Sequence, residues 1–321
     1  MAVADSPTAL PDGGTAAAGA GGAAIPATTL QPAALTPLGP AVPAPRRGRE
    51  WWKGRPKLYV FGSVIAFMVL VGLLAPWISP YEPTKTQPAQ ALQGPSPAHW
   101  MGTDQLGRDT LSRVIHGARV SLTVAVIAVS IALSGGVSLG LVAGYFGGWF
   151  DHLSSRFVDA MLAFPGILLA IAITSALGPS LQNAMIAVGI IGIPTYFRLT
   201  RGQVLQVREM EFVTAATVVG ASRRRIIALH VLPNIVNPLI VAASIASSSA
   251  ILSLAGLSFI GVGTQPPQPD WGSMFQAATG YLNRYPWLAF GPGAAIFLTV
   301  FSFYMLGDAL RDALDPRLRN R

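Results

Sequence analysis

The stretch EFVTAATVVGASRRRIIALHVLPN, residues 211–234, interrupts a strongly apolar sequence with small and charged residues. Its first half repeats at steps of three and four, a spacing typical of one helix face: Phe212, Ala215, Ala216 and Val219. Glu211 opens this helix, and Gly220 predicts its end, because glycine is preferred just after a helix. The helix is too short and too polar to cross a bilayer, so we predict that it lies on the membrane surface.

The second half of this stretch predicts another short helix. Ser222 is suited to its N-cap, and three arginines follow in the first turn: Arg223, Arg224 and Arg225. Because a helix N-terminus already carries partial positive charge, we expect a negative partner, either lipid phosphates or acidic residues of another protein. Anchoring at the membrane explains the arginines alone. It does not explain the paired alanines, Gly220, or the Pro233 that stops the segment before Asn234.

Composition places the chain in a membrane. Of its 321 residues, 51% are hydrophobic and only 11% are charged, too few to cover the surface of a soluble protein. The net charge of +8 comes from basic residues between apolar runs, whereas a nucleic-acid-binding domain clusters them near aromatic residues. We therefore predict contact with the lipid bilayer and no nucleic acid. The absence of cysteine excludes disulfides, thiolate metal sites and cysteine nucleophiles.

Six apolar runs have roughly the 20 residues that a transmembrane helix needs. They cover residues 58–78, 120–144, 158–177, 184–199, 236–260 and 288–306. The fourth run is short and contains Pro194. The sequence therefore predicts an all-α polytopic membrane protein with six transmembrane helices.

These runs divide the chain into segments. We predict a disordered Ala/Gly/Pro-rich tail (1–45) that lacks the features of a signal peptide. A basic cytoplasmic segment (46–57), a first transmembrane helix (58–79) and an external loop (80–117) follow. The membrane core (118–310) contains cytoplasmic helices at 208–232, and a cytoplasmic tail (311–321) ends the chain. Most basic residues fall on the side of residues 211–234, which predicts that both termini are cytoplasmic.

Small residues mark a packing face in the second run. They occur at every fourth position: Ala128, Ala132, Gly136, Gly140, Gly144 and Gly148. Such repeats let two helix backbones approach closely. We interpret the four glycines as a static packing face, with sliding during a conformational change as the alternative.

The fifth run is rich in serine. Ser244, Ser247 and Ser248 are candidates for lining a polar path, and Ser249 and Ser253 lie in the same run. Alternatively, these hydroxyls pack against neighbouring helices and hydrogen-bond carbonyls of their own helix. The residues alone leave both interpretations open.

Several chemistries are missing from the sequence. No ionisable residue lies in the middle of an apolar run, which argues against a proton- or sodium-driven carrier. None of the three lysines follows a phosphate-binding glycine pattern, and the four histidines lack the spacing of metal ligands. We predict no catalytic residue, no metal site and no cofactor in this chain. A transport protein of this kind has to take its energy from a partner.

Residues 211–234 resemble the cytoplasmic coupling motif of ABC importer permeases. That motif has an E-A-A triplet, a glycine four residues later and an L-P-N ending. The matching residues are Ala215, Ala216, Gly220, Leu232, Pro233 and Asn234. Thr214 stands where the triplet has its glutamate. Glu211 matches an acidic residue that often precedes the triplet in the peptide branch.

Three further stretches are similar to the C-type permease subunit of dipeptide and oligopeptide importers. They are GTDQLGRDTLSRVIHGARVSL (102–122), LSFIGVGTQPPQPDWGSM (257–274) and LGDALRDALDPRL (306–318). The resemblance covers about residues 58–318, with four separate motifs in the same order.

The resemblance implies the type I ABC importer permease fold, in a bacterial inner membrane. It also implies three kinds of partner: a second homologous permease subunit, two cytoplasmic ATPase subunits that bind ATP and magnesium, and an external peptide-binding protein. The helix of residues 211–220 would dock on one ATPase, with Phe212 and Val219 as its apolar contact. The rest of the coupling region would extend from Arg223 to Asn234. The chain itself would not be an enzyme.

Three other functions stay open. An ABC permease for nickel or another chelated metal would have a very similar sequence, since selectivity lies largely in the binding protein. A self-sufficient secondary carrier or channel would transport solute without an ATPase. A purely structural membrane protein would not associate with one.

Overall fold

The computed structural model describes residues 56–314, which form ten α-helices. They are α1 (Pro56–Ile78), α2 (Thr110–Phe146), α3 (Gly148–Leu162), α4 (Gly166–Leu177), α5 (Leu181–Arg208), α6 (Glu211–Val218), α7 (Arg223–Ile226), α8 (Leu232–Phe259), α9 (Trp271–Thr279) and α10 (Trp287–Leu314). A 3₁₀ turn at Pro88–Gln90 and a π-helix at Ile227–Val231 complete the helical structure of this range. The predicted tail (1–45), nearly all of the basic segment (46–57) and residues 315–321 of the C-terminal tail lie outside the described residues.

The all-α polytopic architecture is confirmed. Four helical segments are long and apolar enough to cross a bilayer: α1, α2, α10, and α8 together with the turns that precede it. The pair α3 and α4 would make a fifth crossing. The predicted fourth run lies in α5, whose polar first turn and arginine-bearing last turns make it less apolar than the others. Six crossings are compatible with these helices when α5 is included.

The predicted third span, residues 158–177, is not one helix. The chain breaks at residues 163–165, and α3 and α4 meet at an angle of 93°. Pro165 has no N–H to continue α3, and it disfavours helical dihedral angles at the preceding Phe164. The prediction missed this break because apolar residues continue across it.

α2 starts at Thr110, well before the predicted start at residue 120. The predicted external loop (80–117) is therefore a loop only as far as Asp109. The Asp109 carboxylate caps the helix by accepting the Ser112 N–H at 2.8 Å. Its other oxygen lies 2.9 Å from Nδ1 of the buried His99, which holds the loop against the start of α2.

α2 packs along α5 through three of the predicted glycines, Gly136, Gly140 and Gly144. A Cβ atom built on any of them would lie between 2.5 and 2.9 Å from an atom of α5. The α5 residues nearest to them are Tyr196, Phe197 and Val204, all of which are buried. This contact, which we call the α2–α5 interface, has no room for a larger side chain at the glycine positions.

Gly148 does not belong to the α2–α5 interface, contrary to the prediction. α2 ends at Phe146, and Gly147 and Gly148 turn the chain with φ angles of +66° and +67°. A Cβ atom on Gly148 would have no neighbour within 4 Å. The four-residue spacing runs past the end of the helix, where glycine serves a turn instead of a packing contact.

Candidate coupling surface

α6 ends at Val218, and Gly220 then turns the chain with a φ angle of +84°. The Gly220 N–H donates to the Thr217 carbonyl, and the Ala221 N–H donates to the Ala216 carbonyl, both at 3.0 Å. These two bonds form a Schellman cap, which places the residue at position 220 in the left-handed region. Gly220 therefore ends the helix as the sequence predicts, and a side chain there would be strained.

α6 presents an apolar surface that no described residue covers. Val218 is 82% exposed, Val219 is 87% exposed and Phe212 is 41% exposed. Ala215 is exposed beside them. We call these four residues, together with Gly220, the coupling surface. It includes both residues that the sequence predicts as the apolar contact, Phe212 and Val219.

The sequence prediction omits Val218, because steps of three and four from Phe212 lead to Val219. The sequence nevertheless contains a signal for Val218. Val218 and Val219 form an apolar pair directly before the capping glycine, and the last turn of a helix exposes successive residues. Ala216, in contrast, belongs to the predicted helix face but contributes little to the exposed surface. It is only half-exposed and packs against the core of the membrane helices.

Val213 anchors α6 to that core. It is 4% exposed and belongs to one apolar cluster with Ile226 and Val231, which lie between α6 and α8. The Phe212 ring lies 6.3 Å from the His230 ring on the same connection. The coupling surface therefore rests on the segment that leads into α8.

α7 has the predicted N-cap and arginines. Ser222 Oγ accepts the Arg225 N–H at 3.4 Å, and all three arginines from Arg223 onwards are exposed. The Arg223 guanidinium lies 5.8 Å from the centroid of the Phe146 ring, a cation–π contact with the end of α2. The ion pairs within residues 56–314 do not involve these arginines. The negative partner that the sequence predicts for them is therefore not among residues 56–314.

Pro233 does not stop the helical segment, contrary to the prediction. The π-helix at Ile227–Val231 leads directly into α8, and Pro233 lies in the first turn of α8. Proline removes the N–H that would bond to the carbonyl four residues earlier, and the wider π-turn accommodates that loss. Asn234 Nδ2 donates to the His230 carbonyl at 2.6 Å and so satisfies one acceptor of this turn.

Arg208 joins residues 211–234, which we call the coupling segment, to the α2–α5 interface. This residue is the last of α5, and its Nη1 donates to the Gly144 carbonyl oxygen at 3.0 Å. Its Nε lies 3.0 Å from a carboxylate oxygen of the neighbouring Glu209. Sequence reasoning missed this role, because donor and acceptor are 64 residues apart in the chain.

Other charged side chains near the coupling surface pair with each other. Arg201 Nη2 donates to Asp151 at 2.7 Å, and the exposed Arg198 lies 2.6 Å from Asp159. The partly buried Arg201–Asp151 pair holds α3 against α5, whereas the exposed Arg198–Asp159 pair contributes little. Among residues 56–314, no three His, Cys, Asp or Glu side chains come close enough to hold a metal ion.

The candidate pathway serines hydrogen-bond carbonyls of their own helix. The donors are Ser244, Ser247 and Ser248, with distances of 2.6–3.3 Å. A cavity of about 380 Å³ between α2, α5 and α8 is lined instead by Ser249 and Ser253. The candidate serines do not line this cavity, and their place on a polar path stays a prediction. A helix turns by about 100° per residue, so the packing of α8 decides which serines face a cavity.

Comparison with known proteins gives two family matches. Residues 136–320 match the family described as binding-protein-dependent transport system inner membrane component. Residues 57–95 match the N-terminal transmembrane domain of oligopeptide transport permease C. The first match covers more than half of the chain and includes the entire coupling surface.

Curated relatives are similar along most of their length. The dipeptide transport system permease protein DppC of Alkalihalophilus pseudofirmus is 47% identical over 265 residues, 82% of this chain and 87% of the relative. The di/tripeptide transport system permease protein DppC of Pseudomonas aeruginosa is 42% identical over 290 residues, 88% of this chain and 96% of the relative. The glutathione transport system permease protein GsiD of Pectobacterium atrosepticum is 39% identical over 276 residues, 85% of this chain and 92% of the relative.

Proposed function

The chain belongs to the family of binding-protein-dependent transport system inner membrane components, and from this we propose that it is the C-type permease subunit of an ATP-driven importer of di- and oligopeptides. The observation that carries the proposal is the exposed coupling surface. Val218 and Val219 are more than four-fifths exposed on a capped helix, and large exposed apolar patches mark interaction sites. A partner that covers them accounts for their exposure.

Peptide is the proposed cargo because the relatives are named for dipeptides, di/tripeptides and glutathione. None of these names mentions nickel. The cavity between α2, α5 and α8 has a lining without charged residues, mostly small apolar side chains with Ser249 and Ser253. A neutral lining suits a cargo whose side chains vary.

The proposed partner on the coupling surface is one of two cytoplasmic ATPase subunits. Covering Phe212, Val218 and Val219 would stabilise the contact by at most about 1.5–3 kcal/mol for each side chain. Arg224 and Arg225 beside this surface suit acidic residues of the same ATPase. ATP and magnesium would bind to the ATPase subunits and not to this chain.

Movement of the coupling surface would reach the membrane helices through three contacts. Val213 seats α6 on the core, Arg208 holds the Gly144 carbonyl, and the π-helix at Ile227–Val231 leads into α8. We expect α2 and α5 to move as one body, because close-packed interfaces are not continuously deformable. We expect the angle between α6 and α8 to change at the π-helix that precedes α8.

The remaining partners and the orientation complete the proposal. The coupling surface and both termini would face the cytoplasm, and the chain would cross the inner membrane of a bacterium several times. A second homologous permease subunit would enclose the pathway together with this one. An external binding protein would deliver the peptide.

Cysteine crosslinking tests the proposal, since the chain has no cysteine of its own. Val218→Cys places a thiol on the coupling surface, and in native membranes it should crosslink to an ATPase subunit. Leu106→Cys, on a residue 44% exposed in the loop before α2, is the matched control. It should react with a membrane-impermeant maleimide added from outside and form no ATPase crosslink.

Labelling of Val218→Cys from outside, or an ATPase crosslink from Leu106→Cys, would contradict the proposed orientation. Uptake of labelled dipeptide by the purified chain alone in liposomes would identify a self-sufficient carrier. Uptake of nickel but not dipeptide by the full assembly would replace the proposed cargo.

A further inference from the structure

A polar pocket of about 290 Å³ lies at the start of α2, the end opposite the coupling surface. Its walls come from the loop before α2, the first turn of α2, the loop before α9, and α9 itself. Amide side chains contribute to three of these walls: Gln105, Gln265, Gln268 and Gln276. This mixture of charged and amide groups distinguishes the pocket from the apolar grooves between α8, α9 and α10.

Two buried arginines share one carboxylate in this pocket. Arg108 and Arg113 are 7% and 4% exposed. Arg108 Nε donates to Asp104 Oδ2 at 2.6 Å, and Arg113 Nε lies 3.6 Å from the same oxygen. Arg113 also donates through Nη1 to the carbonyls of Pro83 and Pro267, which are neutral acceptors. One positive charge is therefore left without a carboxylate of its own.

The other nearby acids balance that charge only in part. Asp270 caps α9 by accepting the Ser273 N–H at 3.0 Å, and burial raises the pKa of its carboxyl group, so it is a weaker counter-charge to Arg113 than an exposed aspartate would be. Asp109 is occupied by His99 on one oxygen and by the cap of α2 on the other. The excess positive charge thus belongs to the pocket.

The pocket also has hydrogen-bonding groups without partners. Arg108 uses only Nε in hydrogen bonds to described residues, which leaves both terminal nitrogens available. Buried polar groups are normally satisfied, so these terminal nitrogens favour a ligand that accepts hydrogen bonds.

We propose that this pocket binds a carboxylate, and that the carboxylate is the C-terminal end of the peptide cargo. The inference rests on the proposed function and adds a recognition step to it. A guanidinium presents a planar fork that fits a carboxylate through two parallel hydrogen bonds. The neutral amides around it can pair with the backbone of any peptide, so the site recognises a chain end and not a particular side chain.

The size of the pocket favours a free chain end over an acidic side chain on a folded partner. About 290 Å³ is at the lower limit of small-molecule pockets, enough for the terminal residue of a peptide. Arg108 and Arg113 are almost fully buried. A rigid protein surface would have to push a side chain inward to reach them, whereas a chain end enters without distortion.

Equilibrium binding to the purified assembly of permeases and ATPases, without the external binding protein, tests the proposal. The probes are labelled Ala-Ala-Ala and its C-terminal amide. The wild type should bind the free acid at least about tenfold more tightly than the amide. Arg108→Gln should remove that preference, and Arg108→Lys, which keeps the charge without the fork, should retain part of it.

Arg284→Gln is the matched control, because it removes an exposed arginine between α9 and α10 that does not line the pocket. Its preference for the free acid should equal that of the wild type. Because Arg108 also holds Asp104, Asp104→Asn provides a second change of opposite sign: it removes the carboxylate that the two arginines share and should increase the preference for the free acid. Equal binding of acid and amide by the wild type, or an unchanged preference in both Arg108→Gln and Asp104→Asn, would overturn the proposal.

Transport assays separate this inference from the proposed function. Import of tripeptide by an assembly that binds the acid and the amide equally would support the proposed function and contradict the carboxylate site. Arg108-dependent binding of the acid by an assembly that imports no peptide would support a carboxylate site and contradict peptide as the transported cargo. Loss of binding-protein docking in Arg108→Gln, without any change in peptide binding, would assign the pocket to that protein and overturn the inference.

Discussion

The α2–α5 interface and the coupling surface both depend on small residues, for opposite reasons. Gly136, Gly140 and Gly144 are small because a second helix of the same chain lies against them. Gly220 and Ala215 are exposed, and a Cβ atom on Gly220 would have no neighbour within 4 Å. Small size at the interface admits a neighbouring helix, whereas Gly220 permits the left-handed turn that ends α6 and Ala215 would leave room for the proposed ATPase subunit. Substitutions in the first region should therefore impair folding, and those in the second should impair coupling.

Gly140→Val should have the largest effect. Its Cβ atom would lie 2.8 Å from the Phe197 carbonyl oxygen, and a clash with backbone is not relieved by a side-chain rotation. We expect a destabilisation of about 3 kcal/mol or more, measured as a loss of monodisperse protein in detergent and a lower unfolding temperature.

Gly202→Ala, on an exposed position of α5 with no neighbour within 4 Å, is the control for that change and should fold normally. If Gly140→Val folded as well as Gly202→Ala, α2 and α5 would not be held together as closely as the structure shows.

Gly220→Val should fold and insert into the membrane but fail to import peptide. A φ angle of +84° is strained for valine by about 1–3 kcal/mol, so the Schellman cap would distort and displace Val218 and Val219. Labelled dipeptide uptake should be abolished while the amount of protein in the membrane stays close to that of the wild type. Gly220→Asn tolerates the left-handed region better and should restore part of the uptake. Normal uptake by Gly220→Val would place the ATPase contact elsewhere.

Arg208→Gln should have the smallest effect, and it tests the link between the two regions. The variant loses the charged donor to the Gly144 carbonyl, a bond of about 1.5–3 kcal/mol, but it keeps the whole coupling surface. ATP hydrolysis should continue, while the amount of peptide imported per ATP in proteoliposomes falls several-fold. Arg198→Gln, which breaks an exposed ion pair of little energetic value, should change this ratio much less. Equal changes in both variants would point to a general charge effect.

The helical architecture could be predicted because lipid imposes a simple requirement on the sequence, a sufficient length of apolar residues. That requirement does not show where a helix breaks. The bend of 93° between α3 and α4 occurs at Pro165, inside an apolar run that looks continuous. Proline can either kink a membrane helix or end it, and the packing around it decides between the two.

The coupling segment could be predicted where local chemistry determines structure. Gly220 and Ser222 cap their helices through bonds to residues three to five positions away, which the sequence displays directly. Arg208 could not be identified, because its acceptor belongs to another helix. The serines that line the cavity, Ser249 and Ser253, could not be singled out for a related reason. The rotation of α8 is set by its neighbours and cannot be read from the positions of serines along the chain.

α2 is uninterrupted over 37 residues. At 1.5 Å per residue this is about 55 Å, well beyond the roughly 30 Å of bilayer hydrocarbon. Asp109 fixes its first turn, and Arg208 holds a carbonyl near its last. Inserting or deleting one residue between these points would rotate one end by about 100° relative to the other. The length of this helix is therefore constrained as tightly as its glycine positions, and changes in chain length are expected in the connecting loops.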